Sequence, residues 1–508
     1  MAKNYKRLVG DLVQRARLQK NMTQADLAAK VNTSQSAINR IEKGKQNISL
    51  DMIERISSVL KVGLLTFGQK GVIHFRINGG KKLNGSIRIN TSKNAAVGLL
   101  CASLLNRGKT VLRHVANIEE VYRIIEVIES LGVKVRWLNN HRDVEIIPPA
   151  KFTTGQINLV SARMTRSVIM LMGVLLHKTK RFKLPYAGGC NLGARTVEPH
   201  LKALESFGLK VNTTGGFYNA EVKAINPTKP IKIVLAERGD TVTENVLMAA
   251  ALHSGVTEIR NASPNYMVQD VCFFLEKLGV RIEGIGTTVL RVQGLDDINK
   301  NVSYEISEDP IEAMSFIAAG LVTKSEITVK RAPIDFLEVE IETLRGMGAN
   351  LKVSDVYFSR NERTKLVDIV VKPSQLTHAI DKVHPMPYPG LNIDNLPFFA
   401  IIAAVAEGPT MIHDWVYENR AIYLAELSKL NVSTQLIDPH RIIITGPTKF
   451  KSAEIVTPPA LRPAVVLMLA MLAADGESTL RNVYSINRGY EDFARRLNSL
   501  GADIETIY

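Results

Sequence analysis

One short phrase returns six times along the chain, always at the point where an amphipathic helix gives way to a strand. It reads Leu131-Gly132-Val133-Lys134-Val135, Phe207-Gly208-Leu209-Lys210-Val211, Leu278-Gly279-Val280-Arg281-Ile282, Met347-Gly348-Ala349-Asn350-Leu351, Leu430-Asn431-Val432-Ser433-Thr434 and Leu500-Gly501-Ala502-Asp503-Ile504. The copies recur at roughly 70 to 80 residues, too long for one turn of a solenoid, so each is a small α/β module and several must share a core. Two groups of three are expected. Within each copy the pattern is an Ala-rich apolar helix, a turn, a short strand, the amphipathic helix and the closing strand. Apolar stretches such as 95–105 and 465–474 are hydrophobic nearly all round and belong at the centre, with sheets outside them.

Composition narrows the class further. A chain of 508 residues, 45% apolar and 22% charged, is expected to be soluble and globular, with room for about three domains. The three cysteines, Cys101, Cys190 and Cys272, are too scattered for a disulfide framework or a metal cluster, which suits a reducing cytoplasm. The longest apolar runs, 396–406 and 464–474, fall short of the ~20 residues a membrane-spanning helix requires. No signal-peptide pattern follows the basic opening residues, so no export is expected.

Charge is concentrated at the start: residues 1–68 hold 12 Lys and Arg against 5 Asp and Glu, which is +7 of the chain's +15. That density suits a polyanionic partner. Leu8, Leu12, Val13 and Ala16 repeat with helical period, Thr23 caps a short helix over 24–30, and Asn32-Thr33-Ser34 turns into a second helix that Gly44 ends. The second helix sends Ala37, Ile38 and Ile41 inward and Gln35, Ser36, Asn39 and Arg40 outward, amide and guanidinium groups suited to reading base edges. This segment resembles the phage-repressor type of helix-turn-helix. The resemblance implies a DNA-binding domain over residues 1–68, with Gln24, Gln35, Ser36, Asn39 and Arg40 at the DNA and two copies on neighbouring half-sites. The glycine-containing stretch 64–71 is the joint to the next unit.

Four stretches beyond the joint carry chemistry. Ala187-Gly188-Gly189-Cys190-Asn191-Leu192-Gly193-Ala194-Arg195 places a thiol in a glycine-rich loop beside a guanidinium, a setting for thiolate or proton-donor work, whereas Cys101 and Cys272 read as packing groups. Lys93 opens a predicted helix, whose N-terminus itself attracts anions. Arg166, Arg195, Arg462 and Arg488 stand in distinct local motifs, and a site for several anionic oxygens calls for such a set of fixed cations rather than one. Asp394, in Asn392-Ile393-Asp394-Asn395, leads directly into an apolar helix; it is a candidate base for a hydroxyl that must lose its proton, or a helix cap.

Together, the six modules and these stretches resemble the enolpyruvyl transferases, and the cysteine loop resembles that of the members acting on UDP-N-acetylglucosamine. The resemblance, over residues 72–508, implies an α/β fold of two three-repeat inside-out barrel domains, residues 69–91 with 309–508 and residues 92–308. It implies enolpyruvyl transfer from phosphoenolpyruvate to the 3-hydroxyl of UDP-N-acetylglucosamine, opening peptidoglycan synthesis, with no metal or organic cofactor. Cys190 would be the general acid, Asp394 the base and Lys93 a phosphoenolpyruvate contact at the hinge. Asn94 would meet the sugar nucleotide, Arg166, Arg195, Arg462 and Arg488 the anionic groups, and Asp309 and Glu312 form a supporting acidic pair. Tyr417 and Arg420 would meet the nucleotide, and Gly239 opens its phosphate loop. The chain departs from the family at Ala460, where an acidic residue is usual, at Ala187, where proline is usual, and at Glu237-Arg238, where small residues are usual. Those departures and the fused helix-turn-helix keep a second reading open, a transcription regulator that uses the transferase module as a sugar-nucleotide sensor.

Overall fold

The repeated phrase has a backbone cause. The computed structural model describes residues 10–507 apart from 12, 15, 19, 21, 47, 49, 61–72 and 187–195. In it Gly132, Gly208, Gly279, Gly348 and Gly501 have φ between 83° and 101°, and Asn431 of the fifth copy has φ 73°. Glycine enters this left-handed region freely and asparagine tolerates it, so each copy ends a helix there and turns into a strand. Asn431→Gly is therefore expected to leave stability unchanged or raise it. Asn431→Val is expected to cost about 1–2 kcal/mol, read as a lower urea midpoint.

The described residues form six small sheets. Three are built from strands within residues 110–305, and three from the first two strands of this unit together with those after residue 326. The division is enforced by pairing across long stretches of chain. Val302–Glu305 runs parallel to Thr110–Arg113, Asn84–Arg88 runs parallel to Glu326–Pro333, and His74–Gly79 lies antiparallel to Gly476–Arg481. The chain therefore crosses between the groups twice, and the crossings are stitched by Ser92 N–H to Ser307 carbonyl at 2.7 Å and Asp309 N–H to Asn90 carbonyl at 2.9 Å.

Buried helices lie inside the sheets, as their all-round apolarity requires. Pro310–Val322, Leu396–Val405 and Leu461–Ala473 pack on one another and are buried along almost their whole length. In the other group Lys93–Ala102 and Asp240–Ala251 are similarly buried. The third core helix expected there is broken into Leu159–Met164, a 3-10 turn Arg166–Leu171 and Met172–Leu175, with Thr165 extended between the first two. Thr165 is turned into a cap, its hydroxyl accepting from Ser167 N–H. Close packing against the neighbouring helix continues beyond the break, since a Cβ at Gly173 would fall 2.2 Å from the Asn245 carbonyl oxygen.

The chain divides into two compact units, the larger spanning Phe75–Glu505. In the smaller, helices Gln24–Lys30, Gln35–Glu42 and Leu50–Leu60 surround a core that includes Val13, Ala16, Leu27, Ile38, Ile41 and Ile56. Leu8 and Leu12 lie outside the described residues. Thr23 and Asp26 form a reciprocal capping box, and Ser34 caps the second helix. Gln35, Ser36 and Arg40 are exposed, but Asn39 is half-buried rather than fully outward. Its amide donates to Gln24 Oε1 at 3.1 Å, Gln24 donates to Glu42 at 2.7 Å, and Glu42 pairs with Arg17 at 2.6 Å in the core. Among the described residues no helix is long and apolar enough to cross a membrane.

Candidate active site

A cleft of about 1320 Å³, open mouth included, is lined by residues from both groups of sheets. Lys93 reaches it because Ser92 caps the helix Lys93–Ala102, its hydroxyl accepting from Ala95 N–H and fixing the first turn. The Lys93 ammonium is 2.7 Å from Glu120, both largely buried. Burial pushes the Glu120 carboxyl up, yet Lys93 and Arg488 outweigh it and hold its pKa below the usual range. Glu120 escaped the sequence reading: an acid at the second position of the helix Glu119–Ser130 reads as a partner of the helix dipole, and only the fold brings it to Lys93.

Asp394 lines the same cleft, about one-quarter exposed, with Arg420 3.8 Å from one oxygen and Arg462 3.7 Å from the other. It does not cap the helix that follows, whose N-cap is Asn395. Arg462 is buried and lies over the Tyr490 ring at 5.1 Å. Burial works against its charge, but Tyr490, Asp394 and Asp309 raise its pKa further above the normal range.

Arg166, Tyr417 and Arg488 also line the cleft. Arg166 donates to the Thr196 carbonyl at 3.2 Å, just past the cysteine loop. Arg420 lines the cleft as well and is held from behind: it is 1% exposed, pairs with buried Asp414, donates to the Ile393 carbonyl and lies over Tyr417 at 4.6 Å. It braces the segment that carries Asp394. Asn94 lines the cleft and donates to the Tyr266 hydroxyl at 3.0 Å; Tyr266 was not singled out from the sequence.

Asp309 and Glu312 do not line the cleft. Asp309 caps the helix Pro310–Val322 by accepting from Ile311 and Glu312 N–H, while Glu312 accepts from Asn90 N–H and pairs with Arg496. Gly239 is the N-cap of Asp240–Ala251, and the next residues, Asp240 and Thr241, face the cleft. Glu244 on that helix is 1% exposed with one oxygen lacking a hydrogen-bond partner, and burial, with Asp240 and Asp270 nearby, pushes its pKa well up. Cys190 and Arg195 lie outside the described residues. Ala460 lines the cleft where the family pattern has an acid.

His200 supports the cleft from behind: Asn245 donates to its Nδ1 at 3.1 Å, leaving that nitrogen unprotonated. Burial and then Arg166 depress its pKa to about 4. The unfolded imidazole, near 6.5, binds a proton first, so stability present above pH ~6.5 is lost as pH falls toward 4, about 3 kcal/mol from this residue. Asp270, raised to about 6 mainly by burial, contributes with the opposite sign. The check is the difference between wild type and His200→Asn in urea unfolding from pH 7 to 4.5; the wild type is expected to lose more stability on acidification.

Among solved structures the chain is similar to the enolpyruvyl transferase NikO from Streptomyces tendae, with TM-score 0.74 and 23% identity, covering 86% of this chain and 99% of that one. It is also similar to the EPSP synthase of Acinetobacter baumannii, with TM-score 0.67 and 20% identity, covering 86% and 100%. The fold is that of the enolpyruvyl transferases. The EPSP synthase (3-phosphoshikimate 1-carboxyvinyltransferase) family model matches residues 77–497, and a helix-turn-helix model matches residues 13–67. The UDP-N-acetylglucosamine 1-carboxyvinyltransferase 2 of Caldanaerobacter subterraneus is 31% identical over 85% of this chain and 99% of its own. The UDP-N-acetylglucosamine 1-carboxyvinyltransferase of Campylobacter hominis is 32% identical over 85% and 98%. This chain belongs to the UDP-N-acetylglucosamine 1-carboxyvinyltransferase family of enolpyruvyl transferases and carries a helix-turn-helix domain at its start.

Proposed function

We propose that the chain transfers the enolpyruvyl group of phosphoenolpyruvate to the 3-hydroxyl of UDP-N-acetylglucosamine and releases phosphate, the entry step of peptidoglycan synthesis. The observation that carries this reading is the convergence of Lys93, Asp394, Arg462 and Arg488, drawn from three separate repeats, on one cleft. In this reading the transferase divides into residues 69–91 with 309–508 and residues 92–308. The hydroxyl oxygen bonds to C2 of phosphoenolpyruvate as its proton passes to Asp394, while C3 takes a proton from the Cys190 thiol. The C2–O bond to phosphate then breaks as a C3 proton is lost, regenerating the double bond. Lys93, Arg195, Arg462 and Arg488 hold the phosphate and carboxylate charge through both steps.

Purified protein supplied with both substrates is expected to release inorganic phosphate, and omission of either substrate to abolish release. Binding of the sugar nucleotide without turnover would favour the sensor reading instead. Residues 1–68 we assign to duplex DNA. Their charge supplies affinity that falls with salt, and exposed Gln35, Ser36 and Arg40 supply discrimination. Selection from a random duplex library should enrich one motif for the full chain, and Arg40→Ala should blunt it. Failure to enrich any motif, with weak retention even at low salt, would make the domain a protein-interaction module.

A further inference from the structure

A second pocket lies against the two crossings between the groups of sheets, bounded by residues 88–91 on one strand of the hinge and 305–308 on the other. Thr91 and Glu308 form a bridge between these strands. Around them stand four arginines, Arg88, Arg142, Arg331 and Arg360, and three glutamates, Glu305, Glu308 and Glu491. Each glutamate already holds a basic partner, although the buried Oε2 of Glu308 has no hydrogen-bond partner. Glu308 takes Arg331 through Nε at 3.0 Å, and Glu491 takes Arg142 at 3.1 Å. Glu305 accepts from His114 Nδ1 at 2.7 Å. Arg360 fixes the tautomer of His114: it donates to His114 Nε2 at 2.5 Å and cannot accept, so the ring proton sits on Nδ1 and goes to Glu305.

Arg88 and Arg360 are thus left facing the pocket with no carboxylate at ion-pair distance among the described residues. Partial desolvation and the guanidiniums of Arg331 and Arg360 push the Arg88 pKa down, against the opposing pull of Glu308 and Tyr357. The placement of Arg331 is itself constrained. It has φ 66°, unusual for a residue with a side chain, within a register shift between Val329 and Ala332 that turns it out of the strand. Buried Ser359 adds a hydroxyl beside it, 3.5 Å from Arg331.

We propose that this hinge pocket is a binding site for a small phosphoryl-bearing anion, held by Arg88, Arg360 and Arg331 and separate from the catalytic cleft. Guanidiniums arriving from two strands and a loop suit the several oxygens of a phosphoryl group better than the two of a planar carboxylate. The pocket takes walls from both groups of sheets, so its occupant bridges them.

The test is calorimetric titration of the full-length protein with inorganic phosphate and, separately, with glucose 6-phosphate. Arg88→Ser/Arg360→Ser changes two exposed side chains and is expected to keep the wild-type melting temperature. It should bind at least one of the two probes tenfold or more weakly than wild type. Arg462→Ala, which disables the cleft, should leave this binding in place, so the outcome does not depend on the catalytic reading. Restoring charge with Arg88→Lys/Arg360→Lys should recover part of the affinity. Tighter binding of the ester would assign the site to a phosphorylated metabolite, and tighter binding of the free ion to phosphate itself; both uphold it. Absence of binding in wild type, binding unchanged in the double serine variant, or binding lost only in Arg462→Ala would overturn it.

Discussion

Asp394→Asn is expected to lower kcat by about 10²–10⁴-fold while leaving KM for both substrates within a few fold. The amide keeps the size of the carboxylate and its place between Arg420 and Arg462, but it cannot take the hydroxyl proton. Steady-state phosphate release is the measurement. A variant with near-normal kcat would remove Asp394 as the base and leave it as a positioning group for the two arginines.

The second large effect concerns folding. Arg420→Met is expected to destabilise the protein by about 3–5 kcal/mol, because it strands the Asp414 carboxylate in a buried site. Arg420 and Asp414 are each 1% exposed, and Asp414 also accepts from the Val416 and Tyr417 N–H groups. Replacing both partners, as Arg420→Met/Asp414→Leu, should recover part of the loss, since no lone charge then remains. Urea unfolding measures it; a single variant as stable as wild type would show that solvent reaches Asp414.

What the sequence made legible was whatever is local and periodic. The left-handed turn at Gly132 and its five counterparts is written into one residue type, including the substitution by Asn431. The apolar helices follow from stretches such as Leu396–Val405, in which no polar face exists to meet water. Thr165 was not legible as a break, because no proline or glycine stands in Ala162-Arg163-Met164-Thr165-Arg166-Ser167 and only its cap on Ser167 interrupts the helix. Site residues split the same way. Lys93, Asp394 and Arg462 stand in distinctive local motifs, and the fold brings them to one cleft. Glu120 and Tyr266 owe their places to partners 27 and 172 residues away, Lys93 and Asn94, which no local pattern encodes. Asp309 carries a motif as clear as that of Asp394, yet its carboxylate is spent on helix N–H groups. Arg17 and Glu42, the buried pair of the small unit, are likewise 25 residues apart.

The pairing of His74–Gly79 with Gly476–Arg481 sets a timetable for synthesis. The early strand leaves the ribosome roughly 400 residues before its partner exists, about 20–80 s at the usual rates of elongation. Asn84–Arg88 waits in the same way for Glu326–Pro333. Residues 110–305, by contrast, contain all the strands of their own three sheets and can assemble while the rest is still being made. Folding on the ribosome thus runs from the middle of the chain outward, and two nascent strands with open edges must be kept from other partners, Asn84–Arg88 until Glu326–Pro333 emerges and His74–Gly79 until the last repeat does.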